Sequence, residues 1–152
     1  MEKLIVLGTG NATVTKCYNT CFALQKQDEY FLVDAGGGNG ILAALNQASI
    51  GLDKIHHLFV THEHTDHILG VVWLIRMIAT RMNQGKYDGN LMIYCHEELE
   101  STIRTLTTLT VQKKFCRYFD QRIIFVPLRD GDQKEILGES VTFFDIKSTK
   151  AK

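Results

Sequence analysis

Residues Thr61 to Gly70 read THEHTDHILG, which places His62, His64, Asp66 and His67 within six positions of one another. The cluster directly follows a short apolar run, Ile55 to Val60 (IHHLFV), and directly precedes His67 to Met82, which is apolar on nearly all sides. A buried strand feeding a helix packed between layers accounts for both flanks. In extended backbone, alternate side chains share a face, so His62 and His64 point the same way. The turn into the helix then redirects Asp66 and His67 toward a neighbouring point, and two adjacent ion positions result. Imidazole nitrogen and carboxylate oxygen are donors that borderline metals such as zinc accept. With no cysteine nearby, an open catalytic site fits better than a closed structural one. These residue types also occur in plain surface loops, but four donors at strand-to-helix spacing are more than a loop needs. A zincin H-E-x-x-H is excluded, because the second histidine would have to stand where Asp66 is.

The rest of the chain alternates strands with helices. Lys3 to Leu7, Cys21 to Gln25 and Tyr30 to Val33 read as strands. Asp34 and the glycines that follow end the third, and Ile41, Leu42, Leu45 and Ala48 recur at helical spacing before Gly51. After the polar loop Asn83 to Asn90, Leu91 to Tyr94 is a strand and His96 to Leu109 a helix, which Val111 to Phe119 is expected to continue. Glu97, Glu98 and Glu100 complement the dipole of that helix, and His96 reads as its cap. Arg122 to Val126, the turn signal Arg129 to Asp132, and Val141 to Ile146 supply two or three further strands. Strands alternating with helices in one chain predict an α/β layer arrangement.

Several residue groups carry weaker signals. His56 and His57 lie in the strand feeding the motif, one expected to face the core and the other solvent. Gly36, Gly37 and Gly38 could bring backbone amides to an anionic group, but a tight turn explains them as well. The run from Gly8 to Thr13 lacks the third glycine and the helix of a dinucleotide loop. Lys113, Lys114 and Arg117 form a small basic group that reads as a solvated helix face and could touch phosphates in a nuclease.

Charge excludes some functions. Lysine plus arginine and aspartate plus glutamate both number 17 in 152 residues, so the formal charge is zero and general attraction to nucleic acid or anionic lipid is not implied. The apolar run at the N-terminus, Leu4 to Leu7, is too short for a signal-peptide core, and Ile68 to Ala79 is interrupted by Gly70 and Arg76. A cytoplasmic protein with no membrane partner is the expectation. Cys17, Cys21, Cys95 and Cys116 show no paired spacing and are expected to be buried small hydrophobes.

The H-x-H-x-D-H motif at a strand end, with LIVLGTGNA (Leu4 to Ala12), NTCFAL (Asn19 to Leu24) and FLVDAGGG (Phe31 to Gly38), resembles the metallo-β-lactamase superfamily. The opening is most similar to its ribonuclease Z-like branch, and the resemblance runs through the whole chain. It implies an αββα sandwich, classed α/β or α+β, with a two-metal site at the sheet edge. It assigns His62 and His64 to one zinc ion, and Asp66 and His67 to the second. A water bridging two such cations loses its proton near neutral pH, and the hydroxide attacks a carbonyl or phosphorus. Asp66 is expected to be catalytic as well, orienting the nucleophile or taking its proton. Asp34 matches the family's first motif, an aspartate that props the histidine loop by hydrogen bonds without ligating. Aspartate before glycine is also a routine turn former.

The chain departs from that pattern in its last segment. The superfamily's site also takes a third histidine, a bridging aspartate and a final histidine. After Val141 to Ile146, where the third histidine is expected, the sequence reads Lys147-Ser-Thr-Lys150 and stops at Lys152. Residues 1–152 are therefore expected to form the N-terminal part of a longer hydrolase, or a diverged member, with the sandwich incomplete at its C-terminal side. Alone, such a chain should bind zinc poorly and hydrolyse little. A phosphodiester substrate, RNA among them, is expected ahead of lactones, thioesters and β-lactams. Diiron redox relatives place glutamate where His64 stands, which favours zinc. A non-catalytic partner or homodimer is the remaining expectation, in which a second chain could donate ligands.

Overall fold

Apolar, β-branched and aromatic runs make up the strands of one six-stranded sheet, in the spatial order β1 to β6. The computed structural model describes residues 2–147. The elements are β1 (Glu2–Gly8), β2 (Cys21–Lys26), β3 (Glu29–Val33), α1 (Gly40–Gln47), β4 (Ile55–Phe59), α2 (Thr65–Asn83), β5 (Leu91–His96), α3 (Glu97–Thr110), α4 (Lys113–Cys116), β6 (Ile123–Leu128), β7 (Gln133–Ile136) and β8 (Glu139–Thr142). The first three strands pair antiparallel, and β3 to β6 run parallel. Parallel neighbours need crossovers, and helices α1, α2 and α3 supply them.

The pleat sends alternate side chains to two separate cores. Ala23, Leu32, Leu58 and Ile93 face the helices, where they meet Ile41, Leu45, Val71, Leu74, Ile75, Ile78 and Ile103. Phe31, Val33 and Tyr94 face the opposite side and pack with Leu128, Ile136 and Phe143, so the β7–β8 hairpin covers part of that face. Farther toward the β1 edge the same face is bare. Leu4 pairs with Leu24 and Val6 with Phe22, and Leu4, Val6 and Leu24 are exposed.

Four sequence expectations change. Val111 to Phe119 does not continue α3: Val111 is extended at the helix end (φ −106°, ψ 146°), and Lys113–Cys116 forms a separate single turn. The predicted strand Val141 to Ile146 begins earlier and stops at Thr142, because its partner begins at Gln133, just past the turn that holds Gly131 at φ 84°. Phe143 instead closes that turn through backbone bonds to Asp132 and Gly131, and Phe144 and Ile146 are exposed. Only Cys21 and Cys95 are buried; Cys17 is exposed and Cys116 half-buried. His56 and His57 do not divide into core and solvent. Both are half-buried and hydrogen-bonded, to the Asn90 carbonyl (3.2 Å) and the Tyr94 hydroxyl (3.1 Å).

Candidate metal centre

The site forms where two parallel strands end side by side. Val33 of β3 lies opposite Phe59 of β4, so Asp34 and the loop from Val60 onward leave the sheet together. Ligand crevices in open sheets lie at such carboxyl ends. The Asp34 amide donates to the Phe59 carbonyl (2.8 Å), which locks the two exits together. Asp34 is buried and adopts a left-handed backbone (φ 58°), a conformation that aspartate tolerates better than most residues.

From there its carboxylate takes three hydrogen bonds. Oδ1 accepts from the Thr61 amide (2.8 Å), and Oδ2 accepts from the Thr61 hydroxyl (2.7 Å) and from His67 Nδ1 (2.8 Å). The carboxylate thus grips both ends of the motif. The hydrogen bonds expected of Asp34 from the family resemblance are present.

His62 lies in the loop past the end of β4, His64 is extended (φ −62°, ψ 146°) at the N-cap of α2, and Asp66 and His67 occupy the first turn of that helix. The helix therefore starts at Thr65, two residues before the predicted start. The four candidates come together: the His62 ring centroid is 4.6 Å from that of His64 and 4.0 Å from that of His67. Asp66, with 9% of its surface exposed, has Oδ2 3.4 Å from His67 Nε2. His67 is held between two carboxylates, and its pKa is raised, first by the hydrogen bond to Asp34. His62 moves the other way, lowered chiefly by burial and then by the neighbouring His67. His96 does cap α3, its Nδ1 accepting from the Glu98 amide.

Close packing of backbone against backbone supports the loop. The Gly70 amide donates to the Gly36 carbonyl (2.8 Å), and a Cβ on Gly70 would sit 1.8 Å from the Ala35 carbonyl oxygen. Gly36 takes φ 70°, so the glycine run serves a turn. Sequence reasoning did not single out Tyr18, yet its hydroxyl lies 2.8 Å from the Ala35 carbonyl and 2.7 Å from that of Gly38. Burial pushes its pKa up to about 12, so the hydroxyl keeps the proton it donates. Asn19 Oδ1 accepts from the Gly37 amide at 3.1 Å. Nothing in a tyrosine or asparagine before a strand signals such contacts.

The donor set fits a borderline divalent cation in kind, with three imidazoles and a carboxylate close together in the chain and no thiolate among them. Among the described residues, no group of three or more His, Cys, Asp or Glu side chains is arranged to close around one ion. The segment in which a third histidine is expected lies outside the described residues beyond Lys147.

Comparison with known proteins places this geometry in a family. The family model described as anti-Pycsar protein Apyc1 matches residues 2–150. The chain belongs to that family. It is 30% identical over 135 residues to the protein named ribonuclease Z of Phocaeicola vulgatus, covering 86% of this chain and 40% of that one. Among solved structures, the metallo-β-lactamase fold protein YhfI from Bacillus subtilis superposes with a TM-score of 0.72 at 20% identity, over 99% of this chain and 56% of its own. Human tRNase Z, short form, superposes with a TM-score of 0.60 at 25% identity, over 74% and 40% respectively. The fold is therefore the metallo-β-lactamase fold over the part that the chain spans, and the likeness to ribonuclease Z read from the sequence holds. Among the described residues, no helix is long and apolar enough to cross a membrane.

Proposed function

We propose that this chain carries the first ligand cluster of a zinc-dependent phosphodiesterase, with His62 and His64 holding one ion and Asp66 and His67 the second. The observation that carries the reading is that one buried carboxylate, Asp34, is bonded to both Thr61 and His67. Burying a charge to orient a loop is costly unless the loop's side chains must be held in fixed directions. When bound, the cations supply Lewis acidity, acidifying a water and offsetting charge on a phosphoryl group.

The chain's own residues do the orienting. Asp34 stops the His67 ring from rotating, so its direction is set before any ligand arrives. Asp66, buried in the first turn of α2, would orient a nucleophile or accept its proton. A phosphodiester substrate, RNA among the candidates, is supported by relatives named for ribonuclease Z and tRNase Z. A cytoplasmic setting agrees with four cysteines that are all unpaired.

Two donors per ion leave each coordination shell open, so zinc retention by this chain alone is expected to be weak. The test is zinc content by mass spectrometry together with hydrolysis of bis(p-nitrophenyl) phosphate and of a lactone. For residues 1–152 alone, low zinc content and only slow zinc-stimulated diester cleavage, abolished by His62→Ala, is the expected result. Lactone turnover without diester cleavage at full zinc loading overturns the substrate class. A second reading, a dimerising partner without catalysis, draws on the exposed Leu4, Val6 and Leu24 on one sheet face. Stable dimers that never retain zinc would favour it.

A further inference from the structure

The hydrogen bonds around Thr61 form a relay with a fixed direction. An ionised carboxylate only accepts, so the Thr61 hydroxyl, 2.7 Å from Asp34 Oδ2, spends its single proton on that contact. The same oxygen lies 2.8 Å from His62 Nδ1. With its proton committed, it can only accept there, and Nδ1 must carry the hydrogen. A neutral imidazole protonated at Nδ1 has its lone pair at Nε2. His67 is set in the same way by direct donation from Nδ1 to Asp34 Oδ2 (2.8 Å). One carboxylate thus fixes a hydrogen at Nδ1 of two imidazoles, one directly and one through a hydroxyl.

We infer that Thr61 is a positioning residue that transmits the Asp34 charge to His62, fixing its Nδ1–H tautomer so that the Nε2 lone pair is left for an ion. The inference deepens the metal-centre reading and rests on it for its consequence, while its test requires no metal. A residue that only terminates a strand would need its backbone amide, which Asp34 Oδ1 already holds at 2.8 Å. The hydroxyl is the additional group, and Thr61→Val removes it while keeping shape and branching.

The experiment is two-dimensional ¹H–¹⁵N NMR of the imidazole nitrogens in the metal-free chain, comparing the wild type with Thr61→Val and Thr61→Ser. In the wild type His62 is expected to show a protonated Nδ1 and an unprotonated Nε2. Thr61→Val is expected to shift His62 toward the Nε2–H form and leave His67 unchanged, which also reports that the loop remains folded. Thr61→Ser is expected to restore the wild-type pattern. A His62 that carries its proton on Nε2 in the wild type, or keeps Nδ1–H in Thr61→Val, overturns the inference. Zinc titration gives the consequence, about 10–100-fold weaker binding for Thr61→Val and recovery in Thr61→Ser. Absence of zinc binding by the wild type, with the tautomers as expected, would instead overturn the metal-centre reading and leave the relay standing.

Discussion

Asp34 Oδ2 lies 2.8 Å from His67 Nδ1, joining the end of β3 to the first turn of α2 across 33 residues of chain. The contact exists because β3 and β4 are parallel neighbours that end at the same level, so an aspartate following one strand faces the loop following the other. Fold and site meet in that pair.

Replacing Asp34 separates charge from conformation. Asp34→Asn keeps a side chain that tolerates φ 58°, but it puts an N–H₂ donor where Oδ2 accepts two bonds. Thr61 must then accept, its proton turns toward His62, and both imidazoles are driven toward Nε2–H. Zinc binding should weaken by about 10–100-fold in calorimetric titration. Asp34→Ala removes all three bonds and should also lower stability by about 3 kcal/mol, read from the urea midpoint.

Gly70→Ala tests the close approach of α2 to the strand exits. The added Cβ would overlap the Ala35 carbonyl oxygen at 1.8 Å, and backbone cannot yield as a flexible side chain does. A loss of about 3 kcal/mol is expected by urea denaturation. A cost below about 1 kcal/mol, the ordinary range for a tolerated change, would contradict the packing described.

The thiols should divide by burial and protonation. Burial pushes Cys21 and Cys95 up to about 12, so between pH 7 and pH 9 both stay almost wholly as unreactive thiols. Cys17 is exposed and should react first with a thiol reagent, Cys116 second, and the buried pair only on unfolding. Peptide mapping after timed alkylation checks the order.

Tyr18→Phe removes the hydroxyl that bridges the Ala35 and Gly38 carbonyls. Leaving part-buried carbonyls without that donor should cost about 1–2 kcal/mol. Amide hydrogen exchange should rise at Gly36 to Gly38 ahead of the helices.

Much of this was legible in the chain because it is local. Strand runs, the amphipathic α1 and α3, the cap at His96 and the donor cluster from His62 to His67 are each set by residues within a few positions of one another. The grip of Asp34 on Thr61 is not local. It depends on which strands become neighbours, and it was anticipated only through the family resemblance. The relay through Thr61 was not anticipated, since a threonine before histidine reads as an ordinary strand residue. The β7–β8 hairpin was read only in part, because its turn, Leu137-Gly138, has both residues at positive φ yet lacks the asparagine or aspartate that signals such a turn. Covering of one sheet face by Phe143 likewise depends on distant residues, so Val141 to Ile146 could not be trimmed to its true length from sequence.

The most direct test of the metal-centre reading is a zinc titration followed through the imidazole ¹⁵N resonances of all six histidines. Weak binding is visible this way, and three of the residues serve as internal controls. The account predicts saturable shifts at His62, His64 and His67, with His56, His57 and His96 unmoved. Shifts confined to the control histidines, or none at any of the six up to millimolar zinc, would contradict it.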